Sequence, residues 1–320
     1  MDVTVVGAGV IGLVTALELE RAGHRVQVVA AATGDATTSS VAGAIWLPYR
    51  CGPADRVGAW AAATRARLVA IAAERPEAGV DVLTGYELVA GDERPWWADA
   101  AAPVERVPAP LPGDPGALAW RFAAPRVDPP RFLAWLAAQL ARPVEQRVLT
   151  GAAELAALPG DAVVNCTGLG AAPLCADGAL VPLLGQVVVA ELGALDPTSS
   201  IGDSREPDLF YAIPRRDTVI LGGCAVEAPL PSSPLSPPPP ADPAITARIL
   251  AHAARLGLRP GPVLAVRVGL RPFRPSVRLE RDPADPRLFH HYGHGGAGFT
   301  LSFGCAADLV ALLAAPPSAG

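Results

Sequence analysis

The chain has 320 residues, of which 51% are hydrophobic, and a formal net charge of −5 spread along its length. That is material for a folded protein with one large or two smaller cores, and the mild, dispersed negative charge argues against nucleic acid as a partner. All 26 basic residues are arginine, so a lysine Schiff base and a lysine-bearing P-loop are both excluded.

The first 31 residues hold the strongest signal. An apolar run at 3–6 reads as a strand, Val10 to Arg21 has helical spacing, Gly23 ends the helix, and 26–29 is a second strand. Between strand and helix lies Gly7-Ala8-Gly9-Val10-Ile11-Gly12, a G-x-G-x-x-G turn. Gly7 is expected to make the tight turn, Gly9 to let backbone N–H groups approach a pyrophosphate, and Gly12 to let helix and strand pack closely. In a β-α-β context this pattern points to a dinucleotide. The second strand runs into Ala30-Ala31-Ala32, where such folds usually carry an acidic residue for the ribose. The adenosine contact must come from elsewhere, Asp35 or the backbone.

A hydroxylic stretch at 37–50 leads into a strand-like apolar patch, and 54–73 is helical. A second domain is expected to begin in the segment 79–125, which alternates strand-like pieces such as 85–90 with loops rich in proline and tryptophan. Asp128 caps a helix at 129–140, 143–149 is a strand, and 152–158 is a short helix. Asp161 to Gly168, DAVVNCTG, is a buried strand whose Thr167-Gly168 end suits a second backbone approach to a dinucleotide. Short strands at 187–191, 209–214 and 218–222 suggest an antiparallel substrate sheet. A helix at 245–256 follows the proline-rich segment 229–243.

Two features near the carboxy terminus could do chemistry. Arg271 lies in Gly269-Leu270-Arg271-Pro272, where the proline restricts its backbone, and a guanidinium fixed in this way suits a carboxylate. Gly293 to Gly298 precedes a final helix running to about 313, so its backbone N–H groups can form a second anion nest. Tyr211, in a central strand, could bring a phenol to a ligand. The five cysteines form no C-x-x-C pair and are expected to be reduced thiols, with no metal site. No charge-free run of about 18 apolar residues is present, and the chain opens on a strand rather than a basic leader. The expectation is a cytoplasmic protein without a membrane partner.

The segments VVGAGVIGL, VAGAIWLPY, VVNCTG, FYAIP, GLRPFRPSVRLER and HYGHGGAGFT, in this order over nearly the whole chain, resemble the D-amino-acid oxidase family, which includes D-aspartate oxidase. The resemblance implies an α/β fold in which a doubly wound FAD-binding domain (1–46, 140–182 and 284–320) interleaves with an antiparallel-sheet substrate domain (47–139 and 183–283). It implies non-covalent FAD and oxidation of a D-amino acid to an imino acid, with oxygen reduced to hydrogen peroxide. Arg271 would clamp the substrate carboxylate beside the flavin, the Tyr211 hydroxyl would add a hydrogen bond, and the Gly296 carbonyl would accept from the amino group. Thr37, Thr38, Ser39, Gly43 and the Val148 backbone would contact the cofactor, as would Thr167 and Gly168. So would the nest of Gly295, Gly296, Gly298, Phe299 and Thr300.

This chain departs from the family in three places. Ala31 and Ala32 stand where an acid-base pair is expected near the adenosine. The loop 201–209 is shortened, with Pro207 in place of a lid tyrosine. Leu47 replaces a polar wall residue, which favours neutral D-amino acids over D-aspartate. Glycine oxidase and D-aspartate oxidase chemistries are the alternatives, a homodimer is compatible with the resemblance, and a dinucleotide-binding sensor would need the first motif alone.

Overall fold

The computed structural model describes residues 1–205 and 209–315. At the amino end, β1 (Asp2–Val6), α1 (Val10–Arg21) and β2 (Arg25–Ala30) form the expected unit. Helix α1 is buried on nearly every side, Val10, Leu13, Val14, Ala16, Leu17 and Leu19 among its buried residues, as a helix apolar all round is when it lies inside a core. Gly23, at φ 87, lets the chain reverse into β2.

Next come α2 (Ala54–Glu74), β3 (Val80–Leu88), α3 (Ala98–Ala101), β4 (Glu105–Pro108) and β5 (Leu118–Val127). The Asp128 carboxylate accepts from the Arg131 N–H and caps α4 (Pro129–Gln139), which has proline at its start. After it lie β6 (Glu145–Gln146), α5 (Ala152–Ala156), β7 (Ala162–Asn165) and α6 (Ala171–Leu174). The antiparallel half adds β8 (Val181–Glu191), β9 (Ser199–Asp203), β10 (Phe210–Pro214), β11 (Thr218–Gly222) and β12 (Val226–Glu227). The chain closes with α7 (Pro243–Arg255), β13 (Val263–Arg281), β14 (Leu288–His294) and α8 (Gly298–Ala314).

All these strands join one 14-stranded sheet, ordered β4-β5-β3-β9-β10-β11-β8-β13-β14-β7-β1-β2-β6, with β12 beside β8. The β14-β7-β1-β2-β6 end is parallel throughout. Beyond β14 the pairs are antiparallel apart from β3 with β9. Two main cores flank the sheet, one joining α1, α2, α4 and α8, the other packing α7 against β8, β10 and β11. Helix α8 is apolar and long enough to cross a membrane, yet it lies mostly buried in the molecule. A Cβ on Gly304 would stand 2.4 Å from the Trp60 backbone, so glycine sets how closely α8 meets α2.

The structure redraws several expected elements. The stretch 37–50 forms short 3-10 turns and one isolated bridge, Ile45 to Arg126, rather than a strand. Only Glu145–Gln146 of 143–149 pairs, at the sheet edge beside β2. The strand expected at 187–191 begins at Val181, because pairing with β13 extends it. Within the supposed loop 201–209, Ile201 to Asp203 belong to β9. Pro207 lies outside the described residues.

Candidate active site

A cleft of about 670 Å³ opens where the parallel strands end. Its walls include Val6 to Ile11 after β1, Ala30 to Ala32 after β2, Cys166 to Gly170 after β7 and Gly293 to Gly296 after β14. Ligands of open α/β sheets bind at these carboxyl ends.

The first turn is built as a cradle. Gly7 has φ 117, and a Cβ there would stand 2.5 Å from the Cys166 carbonyl oxygen. Gly12 does not line the cleft; a Cβ on it would lie 1.9 Å from the Gly7 oxygen, so its part is helix-strand packing. The Ser39 hydroxyl accepts from the Val10 N–H at 3.0 Å and would touch a Cβ on Gly9 at the same distance. A Cβ on Gly298, the first residue of α8, would lie 3.5 Å from the Val10 side chain, the first residue of α1. Two helix amino ends therefore converge on one cleft, and their dipoles suit a pyrophosphate. Thr37 and Thr38 line the cleft too, as do Asp35, Arg147, Ala31 and Ala32, while Gly43 lines it against the Tyr211 ring. This backbone-rich, glycine-opened geometry fits a dinucleotide such as FAD.

Not every residue expected at the cofactor faces the cleft. Val148 is 39% exposed and its neighbours Arg147 and Leu149 line the wall, an arrangement compatible with the backbone contact expected there. Thr300 is buried with its hydroxyl between the Leu47 N–H and C=O, so it fixes the pocket wall instead of lining it. Thr167, Gly168, Gly295, Gly296, Gly298 and Phe299 do line the cleft. Beneath the nest His291 bonds Thr15 at 2.9 Å, and burial drives the His294 pKa down to about 3, which keeps that ring neutral.

The other end of the cleft carries the candidate substrate groups. Arg271 on β13 stands opposite Leu183, and its guanidinium crosses diagonally over Gly185 of β8. A Cβ on Gly185 would come within 2.4 Å of the Arg271 Cζ. One Arg271 nitrogen donates to the Cys224 carbonyl at 2.6 Å, which fixes the fork. Tyr211 on β10 is flanked in register by Gly202 and Gly222, and its ring covers Gly222. Burial pushes the Tyr211 phenol up and the Arg271 guanidinium opposes it, so the hydroxyl stays protonated.

Sequence reasoning missed two side chains here. A Cβ on Gly296 would lie 3.5 Å from the Arg271 side chain and 3.6 Å from the Tyr49 ring. Tyr49 thus lies across Gly296 from the clamp, with its phenol pushed up by burial and pulled down by Arg50 and Arg271. The signal was present in Trp46-Leu47-Pro48-Tyr49, where the indole of buried Trp46 donates to the Ala61 carbonyl and anchors the run. Arg215 donates to the Gly43 carbonyl at 2.7 Å and to Val127 at 2.8 Å. It thereby presses Gly43 against Ile213 and the Tyr211 ring; nothing local in the sequence marks that role.

Residues 2–312 match the family described as FAD dependent oxidoreductase. A D-amino-acid oxidase of Rubrobacter xylanophilus is 38% identical over 97% of this chain and 95% of its own length. One of Streptomyces coelicolor is 39% identical over 97% and 96%. Among solved structures, glycine oxidase from Geobacillus kaustophilus superposes with a TM-score of 0.77 at 21% identity, covering 97% of this chain and 94% of its own. FAD is its cofactor, and the chain belongs to the FAD-dependent oxidoreductase family.

Proposed function

We propose that this protein oxidises neutral D-amino acids to 2-oxo acids and ammonia, with oxygen reduced to hydrogen peroxide. The observation that carries this is the Arg271 fork, held by the Cys224 carbonyl and bordered by Tyr211, Tyr49 and Gly296 at one end of the cofactor cleft. It is supported by the two oxidases of that name at 38% and 39% identity over nearly the full chain.

Bound FAD supplies the two-electron oxidant that accepts the α-hydrogen as hydride and hands the electrons to oxygen. The chain's own work is positioning. Arg271 presents two parallel N–H donors to the substrate carboxylate, and the protonated Tyr211 hydroxyl donates a third bond. The Gly296 carbonyl accepts from the amino group, and with three contacts fixing one carbon, only one enantiomer turns its α-hydrogen to the oxidant. With the amino group bound as the neutral amine, its lone pair would become the C=N bond of an iminium once the hydride had passed to FAD, and water would release ammonia and the 2-oxo acid. Leu47 lines the cleft and is held there by Thr300. A second substrate carboxylate against this apolar wall would lose hydration without a partner, so D-aspartate is disfavoured.

The test is peroxide release from the purified yellow protein, offered both enantiomers of a substrate panel. D-valine and D-leucine are expected to be oxidised, D-aspartate much more slowly, and the L-forms not at all. Glycine or sarcosine outrunning every D-amino acid would move the assignment to a glycine oxidase chemistry.

A further inference from the structure

The proline-rich segment between β12 and α7 has no part in the mechanism above, yet it reaches the same cleft. Seven of the twelve residues 229–240 are proline. Pro231, Ser233, Pro234, Leu235, Ser236 and Pro238 all line the cavity that holds Arg271 and Tyr211. Leu235 does so while remaining 53% exposed, an apolar side chain at the rim with no core to bury it.

Both feet of the segment stand on β8. At its start the Ala228 N–H donates to the Pro182 carbonyl at 3.0 Å. At its end fully buried Gln186 clasps Asp242, accepting from its N–H and donating to its carbonyl, each at 2.8 Å, and also donates to the Thr246 hydroxyl at 2.8 Å. Pro182 and Gln186 bracket Gly185, over which the Arg271 guanidinium lies. The chain enters the segment through Cys224, whose carbonyl holds Arg271. Between its feet a turn at 233–236 is closed by the Ser236 N–H to the Ser233 carbonyl at 3.0 Å and the Ser233 N–H to the Ser236 hydroxyl at 3.1 Å. Proline fixes φ, so a strap of this composition loses little entropy on ordering and keeps its shape without an occupant.

We infer that this strap is the outer wall of the substrate site and that Leu235 selects substrates with extended apolar side chains. The inference rests on the clamp assigned above. A carboxylate on Arg271 leaves the rest of the substrate to project toward the rim, where Leu235 offers the surface that a chain of several methylenes can cover.

The experiment separates this from the reaction itself. Straight-chain carboxylates from acetate to hexanoate are titrated into the FAD-loaded protein while the flavin absorbance is followed, and kcat/KM is measured for D-leucine and D-alanine. In the native protein, affinity is expected to rise about tenfold or more along the series, since it adds four methylenes, each worth about fourfold when fully buried and less against a residue as exposed as Leu235. Leu235→Ser is expected to flatten that rise and lower the D-leucine to D-alanine ratio about fivefold. Leu235→Trp should steepen the rise. The same chain-length dependence in all three proteins would overturn the inference, with flavin content checking that each variant is folded. A steep, Leu235-dependent carboxylate series without D-amino-acid turnover would sink the proposed reaction and leave the strap standing; turnover with a Leu235-independent series would do the reverse.

Discussion

Arg271 could be picked out because its sequence neighbours, Gly269 and Pro272, already imply a fixed backbone, and the structure adds what they cannot, the Gly185 surface and the Cys224 carbonyl. Arg271→Leu is expected to lower kcat/KM about a thousandfold, since two charge-assisted bonds to the carboxylate vanish, while the flavin spectrum persists; steady-state kinetics within tenfold of native would remove it from the site. Arg271→Lys should recover only part, because an ammonium lacks the fork. Arg215 and Glu87 were invisible for one reason, that their partners, Gly43 and Val127 for the one and Ser204 for the other, are supplied by segments far away in sequence. Glu87 is buried at the cleft wall beside β9, and burial pushes its pKa from 4.5 up to about 8, with the Ser204 hydroxyl pulling it down and Asp203 raising it. The folded state therefore holds a proton that the unfolded chain releases. This contribution to stability is complete below the unfolded value and is lost as pH rises through the folded one. Thermal melts of Glu87→Gln at pH 5 and pH 8 should accordingly show a smaller loss of Tm than the native protein between those values. Equal losses would mean that Glu87 ionises normally in the fold.

Elements were legible where periodicity and punctuation agreed, as in the unit β1-α1-β2 with its glycine turn, and in α4 with its aspartate cap. They were not legible where tertiary pairing decides. The extent of β8 and β9 follows from β13 and β3 beside them, and 37–50 is held by the Thr300 and Arg215 side chains and by its own Trp46 indole on the Ala61 carbonyl rather than by a strand ladder. Two glycines test how the elements set the site. Gly12→Ala places a Cβ 1.9 Å from the Gly7 oxygen, backbone against backbone, so β1 and α1 must part. That variant should purify with little or no flavin and melt about 5 °C or more below native. Gly185→Ala meets instead the Arg271 guanidinium, a flexible group that can swing away. It should keep its flavin and its melting temperature but raise KM about tenfold or more by displacing one charge-assisted pair. If Gly185→Ala loses flavin or Gly12→Ala keeps it, the division of the cleft into a cofactor end and a substrate end is wrong.

At the scale of the whole molecule, one sheet carries both halves, and the 19-residue strand β13 is the joint. It pairs with β8 over the stretch that carries Arg271 and with β14 over the stretch leading to the glycine nest. A sequence read in order suggests alternating domain segments, and what it cannot show is that a single strand crosses between them. Because the cofactor cleft is lined from both halves, FAD binding should stabilise the two together. Ligand at about a hundredfold above its dissociation constant adds about 2.7 kcal/mol, which for a chain of this size is a shift of roughly 5 °C. Calorimetry of the FAD-loaded protein and of protein stripped of flavin should therefore show one transition in each case, the stripped form lower by about that amount. Two separated transitions in the stripped form would mean that the antiparallel half folds without the parallel one and that β13 does not transmit cooperativity.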